Sequence, residues 1–149
     1  GCVFFDIEKI CALIKKYRFN LRLSLNMTTE QLPDHHIGEI FDRIHQLGAD
    51  QVTFRKMYIS EHSTKEDRWL EKRQVRPEFW RRLNDFIEIE GNPVDKLEYG
   101  RIKYDVEGMG VVIDEDCMSQ EAGDVAKYLI LRPDCKLYSK WETKASLIF

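Results

Sequence analysis

Apolar residues recur at two different periods along the chain, and the switches between periods mark the elements. From residue 6 to 17, Ile7, Ile10, Cys11, Ile14 and Tyr17 follow the helical period. Residues 19–27 alternate strictly between apolar and polar, which predicts a strand. A second helix is expected to open at Pro33, because a missing N–H costs little at the first helical position. Its buried stripe is Ile37, Ile40, Phe41, Ile44 and Leu47, and Gly48 stops it. Residues 51–58 read as a second strand, and a charged stretch follows from Ser60 to Arg76. Pro77 opens a third helix that buries Phe79, Trp80, Leu83, Phe86 and Ile87 and ends at Gly91.

The order from 6 to 90 is α-β-α-β-α. One helix between two strands suits a parallel pair with a right-handed crossover. Doubly wound sheets and (β/α) barrels share that signature. The last third changes character. Residues 97–104, 109–114, 127–132 and 136–140 read as short strands, with Gly108 and Gly110 near one turn and Arg132-Pro133-Asp134-Cys135 forming another. Antiparallel hairpins are expected there.

Composition narrows the class. With 43% hydrophobic and 33% charged residues the chain is globular and too apolar for disorder. The formal charge of −3 argues against a strongly basic nucleic-acid binder. Apolar runs such as Leu129–Leu131 are far too short for a membrane span, and Gly1–Phe5 carries no signal-peptide pattern, so a cytoplasmic protein is expected. Cys2, Cys11, Cys117 and Cys135 form no C-x-x-C pair, so reduced thiols are expected rather than a zinc or redox motif. His35 and His36 are adjacent and do not share a helical face, so no metal site is expected. Gly108-Met109-Gly110 lacks the third glycine and following helix of a phosphate loop.

The candidate chemistry lies on the first two strands. Leu21, Leu23 and Leu25 define one face of the 19–27 strand, and Arg22, Ser24 and Asn26 the other. The second strand puts Val52, Phe54 and Tyr58 (with Lys56) on one side, and Gln51, Thr53 and Arg55 on the other. A parallel sheet covered on both faces would be apolar on both. The polar set therefore faces either solvent, in a half-exposed sheet, or a polar lumen. In the second case ligands bind at the C-terminal strand ends, near Asn26 and Arg55. An amide and a guanidinium there suit a polar cofactor with carboxylate and hydroxyl groups. The stretch from 60 to 76, which includes His62, emerges at the same end. It reads as a solvated loop or polar helix, or as a lid over the ligand.

Leu-Arg-Leu-Ser-Leu-Asn-Met at 21–27 and Leu-Gly-Ala-Asp-Gln-Val-Thr-Phe-Arg at 47–55 resemble the fifth and sixth strands of the radical S-adenosylmethionine (radical SAM) partial barrel. Tyr-Leu-Ile-Leu-Arg-Pro-Asp-Cys-Lys-Leu-Tyr-Ser-Lys-Trp at 128–141 resembles a C-terminal extension found in some members, where glycine commonly stands at the position of Cys135. The resemblance implies an α/β fold in two parts. Residues 1–96 would be the C-terminal half of a radical SAM-like (β/α) barrel with parallel strands, and 97–149 a small antiparallel β extension rich in hairpins. It implies that Ser24, Asn26, Thr53 and Arg55 line the cofactor side of a lumen. In the complete protein S-adenosylmethionine and a [4Fe-4S] cluster would generate a hydrogen-abstracting radical. The family's C-x-x-x-C-x-x-C cluster loop is absent, so this chain alone is expected to bind neither cofactor stably and to be inactive.

The implied partner is the missing N-terminal barrel half, or a second copy joined through an open sheet edge. The rival reading is a self-contained α/β binding or regulatory module without catalysis. A weaker pointer, toward nucleic acid, is the segment 65–82, where seven basic residues face four acidic ones for a net +3.

Overall fold

The computed structural model describes residues 5–29, 36–59, 64–97, 101–115, 129–139 and 147–148. Helix α1 (Ile7–Lys16) leads into strand β1 (Arg22–Met27), helix α2 (Ile37–Gln46) and strand β2 (Gln51–Lys56). Helices α3 (Lys65–Glu71) and α4 (Pro77–Glu90) follow. Strands β3 (Asn92–Lys96), β4 (Ile102–Val106) and β5 (Met109–Asp114) complete a five-stranded mixed sheet of order β1-β2-β5-β4-β3. A separate antiparallel pair is formed by β6 (Ile130–Leu131) and β7 (Leu137–Tyr138). The fold is α/β, and the described strands do not close into a barrel.

Local signals account for the element ends. Asp6 caps α1 by accepting from the Lys9 N–H at 3.1 Å. Thr64 and Asp67 cap α3 reciprocally, and Pro77 occupies the first turn of α4. Gly48, at φ +73°, ends α2 in the left-handed conformation that glycine adopts without strain. The expected start of α2 at Pro33 needs correction: the helix begins at Ile37 after His36, and Pro33 and His35 lie outside the described residues. Strand β1 starts three residues later than the alternation implied. Arg18, at φ +58°, closes the end of α1, and residues 19–21 connect the two elements. Cys2, His62, Cys117 and residues 127–128 also lie outside the described residues.

The core forms on one side of the sheet. Ile37, Ile40, Phe41 and Ile44 of α2 and Trp80, Leu83 and Ile87 of α4 pack with Leu21, Met27, Val52, Phe54, Val106, Met109 and Val111. Cys11 of α1 joins the same cluster. The Phe41 ring lies 5.7 Å from that of Phe54 and 4.9 Å from that of Phe86. These strand residues alternate onto one face, so α1, α2 and α4 all serve that face and leave the polar one to other uses.

Sequence periodicity did not foresee how the sheet continues. Strand β5 forms the expected hairpin with β4, but its other edge pairs in parallel with β2, with Thr53 opposite Val112 and Arg55 opposite Asp114. The sheet therefore contains strands from both sides of residue 96.

Candidate functional site

Strands β1 and β2 are parallel neighbours, with Arg22 opposite Gln51, Ser24 opposite Thr53 and Asn26 opposite Arg55. The pleat puts all six side chains on the face away from α1, α2 and α4. A side-chain bond shows the shared face directly: Arg22 donates to Thr53 Oγ1 at 3.0 Å. Ser24, Asn26, Thr53 and Arg55, the four residues singled out from sequence, are thus brought together in two adjacent rows. Thr53 is only 3% exposed, whereas Ser24 and Asn26 face solvent.

The pairing of β2 with β5 extends these rows. The row at the C-terminal ends of the parallel strands reads Asn26, Arg55, Asp114, and Arg101 precedes β4 beside Asp114. The Asp114 residue is 4% exposed. Arg101 reaches its Oδ1 at 2.8 Å, and Arg55 Nε lies 4.0 Å from its Oδ2. The first is a close ion pair without hydrogen-bond alignment. Arg55 Nε, an Arg101 terminal nitrogen and Asp114 Oδ1 are all buried atoms with no aligned partner. One carboxylate thus stands against two guanidiniums. In the row of Gln51, Gly110 clears space for a cation: a Cβ there would come within 2.9 Å of Lys103 Cε.

Neither Arg101 nor Asp114 was among the sequence candidates. The only signal was the two-residue period of a strand over 109–114, which sets Asp114 on the face opposite Val111 and Ile113. Which strand it would join could not be read from that pattern.

The 64–76 segment closes over the strand ends. Thr29 N–H donates to Arg73 O at 2.8 Å, Thr28 and Gln74 form an antiparallel bridge, and the Gln74 amide donates to Met57 O at 3.3 Å. The charged stretch is therefore part helix and part strap, tied to the ends of β1 and β2.

Two further features adjoin the site. Among the described strands, β1 lies at one edge of the sheet. Between β1 and α2 lies a groove of about 830 Å³ lined by Leu23, Leu25, Met27, Ile40, Ile44 and Leu47, with Ser24, Asn26, Glu39 and Arg43 also on its wall. Among the described cysteines, Cys11 is buried in the apolar layer and Cys135 is exposed at the β6–β7 turn, and both are free. No group of three or more potential metal ligands occurs among the described residues. No described helix is long and apolar enough to cross a membrane. Comparisons with family models, with curated proteins and with solved structures find no match.

Proposed function

We propose that this chain is the C-terminal portion of a radical SAM-like enzyme, with β1 and β2 as neighbouring strands of a partial (β/α) barrel and Ser24, Asn26, Thr53 and Arg55 facing its lumen. The observation that carries the reading is the parallel register of β1 and β2, which sets these four residues side by side on the face that α1, α2 and α4 leave free. The residues suit S-adenosylmethionine: a guanidinium with an unpartnered Nε meets a carboxylate, and an exposed amide and hydroxyl meet ribose or amino groups. They do not suit a [4Fe-4S] cluster, which needs three thiolates gathered on one loop. Cys11 and Cys135 are on different elements, one under the helices and one on a hairpin. No chemical step is assigned through a cluster in this chain. Its own part is to hold and orient the cofactor and substrate at the strand ends. With an electron from a cluster held by the preceding barrel half, S-adenosylmethionine would supply the hydrogen-abstracting chemistry there.

The partner in this reading is the preceding barrel half. Helix α1 packs in the same layer as α2, to which the Glu8–Arg43 ion pair ties it. In a right-handed crossover that layer leads back to a strand lying parallel along the open edge of β1. The reading places the protein in the cytoplasm, where its thiols stay reduced.

The test is to translate the gene's full product, purify it anaerobically with its cluster reconstituted, reduce it with dithionite and assay S-adenosylmethionine cleavage to 5′-deoxyadenosine. Cleavage is expected, with Asn26→Ala and Arg55→Ala raising the KM for S-adenosylmethionine about tenfold or more, equivalent to ~1.4 kcal/mol. A full product that binds no iron–sulfur cluster removes this reading and leaves the self-contained binding module.

A further inference from the structure

We propose that Arg55 and Arg101, held apart by Asp114, form a receptor for a carboxylate group at the C-terminal ends of β2 and β5. The inference deepens the reading above, since it concerns the same face, but it needs no cluster and no barrel closure. Three observations carry it. Asp114 is 4% exposed and neutralises only one of two flanking guanidiniums, so the trio keeps one positive charge. Arg55 Nε and an Arg101 terminal nitrogen are buried donors without an aligned hydrogen bond, which costs free energy until an acceptor supplies one. The Arg55 and Arg101 side chains nevertheless remain 39% and 23% exposed, so an incoming group can reach them.

The chemistry selects the ligand. Guanidinium forks bind planar carboxylates bidentately, and a monoanion matches the single excess charge where a phosphate dianion would overshoot it. Asn26, adjacent to Arg55 in the register, adds an amide beside the bound group. Asp114 serves as a positioning residue: it spaces the two forks and keeps them from turning out to solvent. The carboxylate could belong to the cofactor's amino-acid moiety or to the substrate.

The probe is trifluoroacetate, followed through its ¹⁹F linewidth with the full 149-residue chain. Saturable broadening is expected, reversed by acetate. Arg55→Gln and Arg101→Gln should each weaken binding at least fivefold, and Arg55→Lys, which keeps charge but not the fork, should fall between. Arg81→Gln, on the solvent side of α4, should bind like the parent chain. Circular dichroism of each variant separates lost binding from lost folding, and Arg55→Lys carries the test if a glutamine variant does not fold. No saturable broadening, equal binding by all variants, or stronger displacement by inorganic phosphate than by acetate would overturn the proposal. Displacement by S-adenosylmethionine supports the receptor and assigns it to the cofactor's carboxylate; co-binding supports it and assigns it to the substrate's. The receptor can fail while cleavage of S-adenosylmethionine holds, or the reverse, so the two readings fall separately.

Discussion

Cys135 sits at φ +58°, where a side chain with a Cβ is strained and glycine is not. The turn demands that conformation. Cys135 N–H donates to Arg132 O at 2.9 Å and Arg132 N–H to Lys136 O at 3.1 Å, closing the loop between β6 and β7. The adjoining contacts fix the turn from the side: Tyr138 Oη donates to Asp134 Oδ2 at 2.7 Å, which holds the Asp134 carboxyl below its usual range and raises the Tyr138 phenol. Replacing Cys135 with glycine relieves about 1–2 kcal/mol of left-handed strain and returns about 0.5–1 kcal/mol as extra chain entropy. The net gain expected for Cys135→Gly is up to about 1.5 kcal/mol, seen as a several-fold slowing of amide exchange at Arg132. Exchange that stays the same or quickens would show that the turn bears no such strain. The turn at Arg132-Pro133-Asp134-Cys135 was legible in the sequence; the positive φ at its last residue was not.

At the scale of elements, α1 is tied down chiefly by its C-terminal end. Lys15 Nζ lies 2.8 and 2.9 Å from the two Asp50 oxygens, and Asp50 Oδ2 also accepts from Leu21 N–H at 2.7 Å. The Lys15 hydrogen bond, and then the Leu21 N–H, hold the Asp50 carboxyl below its ordinary range. A carboxyl lowered in the folded state stabilises above its unfolded value, and that contribution disappears as pH falls through the folded value. Asp50→Asn should therefore lower the urea midpoint at pH 7, and the gap between the two proteins should narrow as pH falls below the ordinary carboxylate range. A gap that persists undiminished below that range would show that Asp50 acts through shape rather than charge. Elements of this kind were largely readable in advance. The spans of α4 and β5 follow from a helical stripe behind Pro77 and a short apolar run after the turn glycine, because each signal is local. The pairing of β5 with β2 was not readable, since it joins residues more than fifty positions apart and leaves no local trace. That pairing brings Asp114 to Arg55, so half of the candidate site depended on tertiary structure alone.

For the whole molecule the open question is the edge of β1. Among the described residues the strand has β2 on one side and no strand of its sheet on the other. Beside that edge lies the groove lined by Leu23, Leu25, Ile40, Ile44 and Leu47. Ile10, Leu13 and Tyr17 of α1 add exposed apolar surface, and Phe19 follows them. Unpaired backbone groups next to apolar surface template pairing with another chain. Supplied alone, without the barrel half proposed to cover this edge, the chain is expected to self-associate at micromolar concentration. Light scattering against concentration measures the effect. Leu25→Lys places a charge on the groove wall and should shift association to at least tenfold higher concentration, because edge charges oppose strand addition. Leu25 is half-buried, so the lysine can reach water without opening the core around Phe54 and Leu83. A control at Ile89, exposed at the end of α4, separates edge pairing from general stickiness: Ile89→Lys should leave association unchanged. If both lysine variants suppress association equally, the edge is not the route. If the parent chain is a compact monomer at high concentration, the sheet is complete as it stands, and the self-contained binding module becomes the better account of this protein.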